Sequence, residues 1–273
     1  MLVKMSEILR QAKREAYGVP ALGAVDELTF RACLDAAEEM RSPLIILCMD
    51  KGNSDMNYFG RMITDLSIRS RVPVATVLDH TATFESAMTG IRAGFNTIMA
   101  DRSQFPYDEN AALVGDIVRI AHAADVEVEA ELGHVGFGDN YPADGSSALT
   151  VPEEAIRFVE ETGVDCLAVA IGTAHGVYKG EPKLRFDLLE ELAQKVHVPL
   201  ALHEGSGTGD ENLARTCRSG ISKVNIVNDL DRSAYNAAVS DGMAGNRIYN
   251  LFPVMSKGYS DMAKHFMQVL GSA

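Results

Sequence analysis

The sequence predicts a closed (β/α)8 barrel, and three observations predict it. Short apolar runs of strand length alternate with stretches in which apolar residues recur at helical spacing, as in parallel strands joined by helices. Eight such units fit within the 273 residues, a usual length for one barrel of this kind. No G-x-G-x-x-G follows the first strand, and no interdomain linker or low-complexity tract interrupts the chain. A doubly wound open sheet usually stops at fewer strands, so it fits less well. The expected organisation is a single α/β domain over residues 1–273, with extra N-terminal and C-terminal helices.

The elements follow in order. Ser6–Ala16 is amphipathic and Gly18 ends it; lacking an uninterrupted apolar segment, it reads as a helix and not a signal peptide. Val19–Val25 is the first buried strand, and Leu28–Met40 has apolar residues at helical spacing. Pro43–Met49 is a second strand, apolar on both faces, before the helix Tyr58–Arg69. Val72–Asp79 and Thr97–Asp101 are the third and fourth strands, with the helix Phe84–Ala93 between them. The helix Asp108–Ala123 leads into the fifth strand, Val126–Leu132. The stretch Gly133–Val151 is long for a connection, and its glycines and polar residues suit a mobile lid. Helix Pro152–Glu161, strand Cys166–Ile171 and helix Phe186–Val196 come next, then a seventh strand from Val198 to Leu202. Helix Glu211–Arg218 and the eighth strand, Ile221–Val227, complete the barrel; helical segments fill Asp229–Ser240 and Tyr249–Leu270.

Composition narrows the function. The formal charge is −13, which argues against a nucleic-acid or anionic-membrane surface, since both need clustered Lys and Arg. An anionic substrate would need a local positive field. Cys33, Cys48, Cys166 and Cys217 are widely spaced with no C-x-x-C, and read as buried thiols of a cytoplasmic protein. No stretch is long and apolar enough to span a membrane.

The chemistry gathers at strand ends. Of seven histidines, His80 follows the third strand, His175 lies just past the sixth and His203 closes the seventh. In a barrel these ends share one rim, and three imidazoles around an open position form a catalytic zinc arrangement. A lone strand-end histidine is more often not a ligand; three on one rim beside Asp79, Asp101 and Glu131 make coincidence the lesser reading. Asp79 suits either a proton shuttle or an orienting partner for a ligand. Asp101 and Glu131 suit a second metal pocket or an orienting role. His134 opens the lid and is ambiguous, and Asp139, within the lid, suits a mobile acid/base. The loops after the seventh and eighth strands carry Gly205-Ser206-Gly207 and Asn225-Ile226-Val227-Asn228-Asp229, where many barrels bind phosphate. A Gly-Ser-Gly turn alone is a weak signal; its position gives it weight.

The segments Leu78-Asp79-His80, Gly94 to Ser103, Val128-Glu129-Ala130-Glu131-Leu132-Gly133, Ala170 to Tyr178 and Lys223-Val224-Asn225-Ile226 together resemble the class II, zinc-dependent ketose-bisphosphate aldolases. The likeness runs in order from about Met5 to Leu270. The resemblance implies a (β/α)8 enzyme that reversibly cleaves a ketose phosphate to dihydroxyacetone phosphate and an aldehyde. It implies Zn²⁺ on His80, His175 and His203, with Asp101 and Glu131 serving a second or resting metal position. It implies that Asp79 handles the proton of the hydroxyl beside the scissile bond and that Asp139 stands nearest the lid acid. Gly176, Gly205, Ser206 and Gly207 correspond to loops for phosphate and a monovalent cation, and Asn225 to a substrate-binding Asn. Arg247 corresponds to an Arg that reaches the distal end of a substrate, across a subunit interface in a homo-oligomer (a dimer or tetramer). The partner implied is a small sugar or sugar phosphate. Zinc would hold the charge of the enediolate, so no Schiff-base lysine is required; Lys223, near the start of the eighth strand, is expected to lie away from the active rim.

Departures from that family pattern point to altered substrate choice. Glu204 stands where the family has Gly, Asn228 where it has Thr or Ser, Gly23 where it has Asn, Thr81 where it has Gly and Asp139 where it has Glu. A carboxylate about 5 Å from a phosphate dianion costs roughly 6 kcal/mol at an effective dielectric of about 20, and a helix N-terminus returns only about 0.3–2 kcal/mol. Two other readings are a non-catalytic aldolase-like subunit and a metal-dependent sugar epimerase on the same barrel.

Overall fold

Eight parallel strands close on themselves in chain order in a computed structural model of the chain, which describes residues 1–49, 52–135, 149–174, 182–240 and 247–273. The strands are β1 (Val19–Gly23), β2 (Leu44–Met49), β3 (Val74–Thr81), β4 (Thr97–Ala100), β5 (Glu127–Leu132), β6 (Cys166–Val169), β7 (Leu200–Leu202) and β8 (Ile221–Ile226). Ten helices stand among the described residues: α1 (Met5–Glu15), α2 (Glu27–Met40), α3 (Met56–Arg69), α4 (Phe84–Ala93), α5 (Tyr107–Ala123), α6 (Pro152–Thr162), α7 (Phe186–Lys195), α8 (Asp210–Arg218), α9 (Asn228–Ser240) and α10 (Ile248–Val269). The expected α/β barrel with added terminal helices is therefore the fold. Pairing of β1 with β8, Ala21 opposite Asn225, removes every sheet edge.

Alternate residues of most strands enter two separate apolar clusters. Leu22, Ile46, Leu78, Ile98, Val128, Leu167, Leu202 and Val224 face the helices. Ala21, Ile45, Leu47, Ala75, Val77, Met99, Ala168 and Ala201 face inward, where they meet Met5, Ile8, Leu9 and Ala12 of α1. Helix α1 thus plugs the N-terminal mouth of the barrel with its apolar face. This leaves the C-terminal mouth for polar chemistry.

Strands β5 and β8 are the exceptions, since neither gives the inner cluster an apolar residue; β8 buries Lys223 and Asn225, and β5 a row of carboxylates. The outward residues of β5, Val128, Ala130 and Leu132, are apolar, while Glu127, Glu129 and Glu131 are all buried and rise through the barrel in layers two residues apart. Glu127 accepts the backbone N–H of Ser6 in the first turn of α1 (2.9 Å), a favourable place for a carboxylate. Glu129 and Glu131 reach the groups described below.

Element ends differ from the sequence reading where side chains intervene. Helix α3 starts at Met56, two residues early, because the Asp55 carboxylate caps it by accepting from Tyr58 N–H (2.9 Å). Strand β3 runs on to Thr81, with a register shift against β4 between Leu78 and Thr81. Inside that irregularity His80 has φ +52°, and such bulges re-aim side chains beside active sites. Strand β7 is only three residues long.

Candidate functional site

A cavity of about 490 Å³ opens at the C-terminal ends of the strands, lined among other residues by Asp79 and His80 of β3, Asp101 and Ser103 after β4, Glu131 of β5, Glu204 after β7, and Asn225 and Asn228 at the end of β8. Residues as far apart in sequence as Met49 and Asn228 meet there because consecutive parallel strands all point their C-terminal ends at one rim.

His80, Glu131 and His203 each present a ligand atom within 4.8 Å of the others. Each imidazole is also held from its far side by a carboxylate. His80 Nδ1 bonds Asp101 Oδ2 (2.9 Å), and His203 Nε2 bonds Glu129 Oε1 (2.8 Å). His203 Nδ1 then lies 3.2 Å from Glu131 Oε2. Glu131 is steered the same way: its Oε1 accepts from Ser103 Oγ–H and from Val135 N–H, both at 2.9 Å. Its buried Oε2 faces His203 Nδ1. An imidazole fixed through one nitrogen by a carboxylate, with the other facing a shared point, is how metal-binding histidines are oriented. The donor set fits a divalent cation that accepts nitrogen and oxygen ligands, such as zinc. Asp101 meets His80 and is not one of the converging trio.

Without a cation, charge pairing is strong. Burial opposes charge on His203, but hydrogen bonds and attraction from Glu129 and Glu131 outweigh it and raise the imidazole well above its ordinary range. Burial also opposes charge on His80; Asp79 and Asp101 reverse the effect and raise it. Asp101 is pushed the other way, burial being overcome by its bonds to His80 and Ser103, so that it stays ionised well below the usual carboxylate range. Asp79 is 4% exposed and its Oδ1 has no hydrogen-bond partner among the described residues, so an acceptor is left over on the cavity wall.

One layer below the rim sits a lysine that the sequence placed away from the site. Lys223 is fully buried. Its Nζ donates to Glu129 Oε1 (2.8 Å) and to Asn225 Oδ1 (2.7 Å). Burial alone would raise the Glu129 carboxyl, yet Lys223 and His203 bring it down to about 2. Lys223 does start low in β8, but its long side chain reaches up to the carboxylate that holds His203. Thr173 fixes the same histidine from outside, donating its hydroxyl to the His203 carbonyl (2.6 Å).

At the β7–β8 rim, Glu204 is 4% exposed with φ +51°. Its Oε2 accepts from Asn228 Nδ2–H (2.8 Å), so two of the residues that depart from the expected pattern are partners. Gly207 N–H donates to Asp229 Oδ2 (3.0 Å), and Gly205 N–H to the Asn225 carbonyl (2.8 Å). Gly205 is required by packing: a Cβ there would sit 2.6 Å from Val224 Cγ1 and 2.7 Å from Ile226 Cδ1. Ser206 Oγ accepts from Val227 N–H at 3.3 Å.

Asp79, His80, Asp101, Glu131, His203, Glu204, Asn225 and Asn228 are thus brought to one rim. His175, Gly176 and Asp139 lie outside the described residues. Arg247 stands exposed at the start of α10, bonded to Tyr249 Oη (2.6 Å), and does not line the cavity. The sequence reading missed Glu129, Lys223, Ser103 and Thr173. Only Glu129 had a signal there: in the alternation of Val126–Leu132 it shares a face with Glu131.

Residues 3–273 match the family model described as "Fructose-bisphosphate aldolase class-II". Among solved structures, the chain is similar to the YdjI aldolase from Escherichia coli K12, with 31% identity, a TM-score of 0.90, and coverage of 100% of this chain and 98% of that one. It is also similar to a fructose-1,6-biphosphate aldolase candidate from Coccidioides immitis (26% identity, TM-score 0.89, coverage 98% and 96%). A fructose-bisphosphate aldolase from Campylobacter jejuni shares the fold at 20% identity (TM-score 0.85, coverage 99% and 96%).

Proposed function

Since the chain belongs to the class II fructose-bisphosphate aldolase family and is on that ground a lyase, we propose that it is a zinc-dependent aldolase acting on a ketose or ketose phosphate, with a substrate choice different from that of fructose-bisphosphate aldolase. The observation that carries this reading is the convergence of His80, Glu131 and His203 on one point of the cavity, each oriented by a further hydrogen bond. In the proposal His80, His203 and His175 hold the metal, with Glu131 and Asp101 serving a second or resting position. When bound, a divalent cation supplies Lewis-acid stabilisation of the negative charge that develops on the substrate carbonyl oxygen.

The protein's own residues handle the protons. Asp79 accepts the proton of the hydroxyl next to the scissile C–C bond. The new C=O forms as that bond breaks, and the electron pair moves to the carbonyl fragment. Asp139 returns a proton to the carbon of that fragment. A buried carboxylate with a spare acceptor oxygen supports the first role. Gly176, Gly205–Gly207, Asn225, Asn228 and Asp229 hold the substrate at the rim; a monovalent cation at these loops and Arg247 acting from a neighbouring subunit complete the proposal. Exposed Tyr235, Val239, Ile248, Tyr249 and Phe252 on α9 and α10 support a homo-oligomer. Four free buried cysteines support a reducing, cytoplasmic setting. Among the described residues no helix is long and apolar enough to cross a membrane.

The test uses the purified chain. Zinc content is measured beside aldehyde release from a panel of ketoses and ketose phosphates. Release that stops with a chelator and returns with zinc is expected, and His203→Ala should retain no zinc and no turnover. Release that survives chelation, or a His203→Ala protein with undiminished zinc and rate, would remove the metal assignment. Interconversion of sugars without aldehyde would favour an epimerase.

A further inference from the structure

Resting on the aldolase reading, we propose that Lys223 is a positioning residue of this site: one buried ammonium turns the Asn225 amide so that it donates toward the substrate, and through Glu129 it also sets the imidazole of His203. Lys223 and Asn225 share the inward face of β8, since Val224 and Ile226 pack on the outer side against the helices. Lys223 Nζ lies 2.8 Å from both carboxylate oxygens of Glu129 and 2.7 Å from Asn225 Oδ1. Glu129 Oε1 in turn bonds His203 Nε2 (2.8 Å). Each of these four residues is 3% exposed or less.

The polarity of these bonds decides what the site presents. An ammonium has donors and no acceptor, so the Asn225 amide must turn its oxygen to Nζ. Its NH2 is then the other branch of the same planar group, and Asn225 lines the cavity. The amide is thereby matched to an oxygen of the ketose: a carbonyl, a hydroxyl, or the oxygen that gains charge as the C–C bond breaks. Without Lys223 the amide is free to turn over and offer its own oxygen instead. The barrel is shaped to let the lysine reach. Lys223 stands on β8 and Glu129 on β5, with β7 and β6 between them. Those two strands turn Ala201 and Ala168 inward, and Ala201 is paired with both Lys223 and Ala168. Two methyl groups leave room for the stem to cross. Stability alone does not call for ions here, because apolar residues of similar volume often replace a buried ion pair without loss. Strands β2 and β3 do fill their inward faces with Ile45, Leu47, Ala75 and Val77.

A double-mutant cycle on the zinc-loaded protein tests this, read as kcat/KM for condensation of glyceraldehyde with dihydroxyacetone and with dihydroxyacetone phosphate. Lys223→Met and Asn225→Ala are each expected to lower it about tenfold or more, and the double variant to lose at least about threefold less than the product of the two. Where Lys223→Met does not fold, Lys223→Met with Glu129→Gln, which strands no charge, takes its place. Adding Asn225→Ala to that pair should cost less than about threefold, against about tenfold in the wild type. The second readout is the visible absorption of the Co²⁺-loaded protein, with zinc competition against a chromogenic chelator. Lys223→Met is expected to change the cobalt spectrum and to weaken zinc about tenfold, and Asn225→Ala to do neither. Losses that multiply, or a Lys223→Met protein with the wild-type cobalt spectrum and zinc affinity, overturn the proposal. Failure of the aldolase reading looks different: neither donor condenses with the wild type, while the cobalt spectrum still decides whether Lys223 sets His203.

Discussion

Lys223→Met isolates the buried charge network beneath the candidate metal site. Lys223 and Glu129 are both fully buried, and Nζ lies 2.8 Å from Glu129 Oε1 and 2.7 Å from Asn225 Oδ1. Methionine keeps the stem's length and apolar packing but removes the charge. The Glu129 carboxylate is then left inside the barrel with His203 as its remaining partner. Breaking a buried pair from one side costs about 3–5 kcal/mol, and at roughly 2 °C per kcal/mol for a chain of this size the melting temperature should fall by about 6–10 °C. Adding Glu129→Gln removes the stranded charge, so the double variant should recover about 2 kcal/mol or more relative to the sum of the single effects. Glu129 also orients His203, and loss of such a partner weakens metal binding by about 10–100-fold. Calorimetric melting of metal-free and zinc-loaded protein, with zinc competition against a chromogenic chelator, reads both effects. A Lys223→Met protein within about 1 kcal/mol of the parent, or strict additivity in the double variant, would show that the pair does not hold the interior together.

Two further outcomes follow from local structure. Arg41 ends α2 with φ +57° and its side chain is exposed, so Arg41→Gly should raise stability by about 0.5–1 kcal/mol by removing a left-handed strain that glycine does not feel; a lower melting temperature would count against it. Cys33, Cys48, Cys166 and Cys217 are free and buried, and burial pushes their thiols up, Cys217 to about 12. Ellman's reagent at pH near 8 should therefore leave the native protein unmodified over minutes and titrate all four thiols in guanidinium. A fast-reacting thiol in the native state would contradict the packing.

The barrel was legible because its signals are local. Strand and helix repeat with different periods, and the hydrophobic spacing of Leu44–Met49 or Phe84–Ala93 carries that period within a few residues. Strand ends were legible for the same reason, and in a parallel barrel all strand ends share a rim. That is why His80, His203 and Glu131 could be named together before any coordinates. Partners across the barrel had no such signal. Lys223 and Glu129 are 94 positions apart, and their contact depends on inward parity, on strand register and on the reach of a lysine stem. Only the closed tertiary structure sets those. The same holds for Glu204. Sequence marked it as an odd residue beside a glycine loop. The structure supplied its left-handed backbone, its burial and its bond to Asn228. Local chemistry determined which residues could act; three-dimensional closure decided which of them act on one another, because a charge's role depends on the partner it meets, and here the partners come from distant strands.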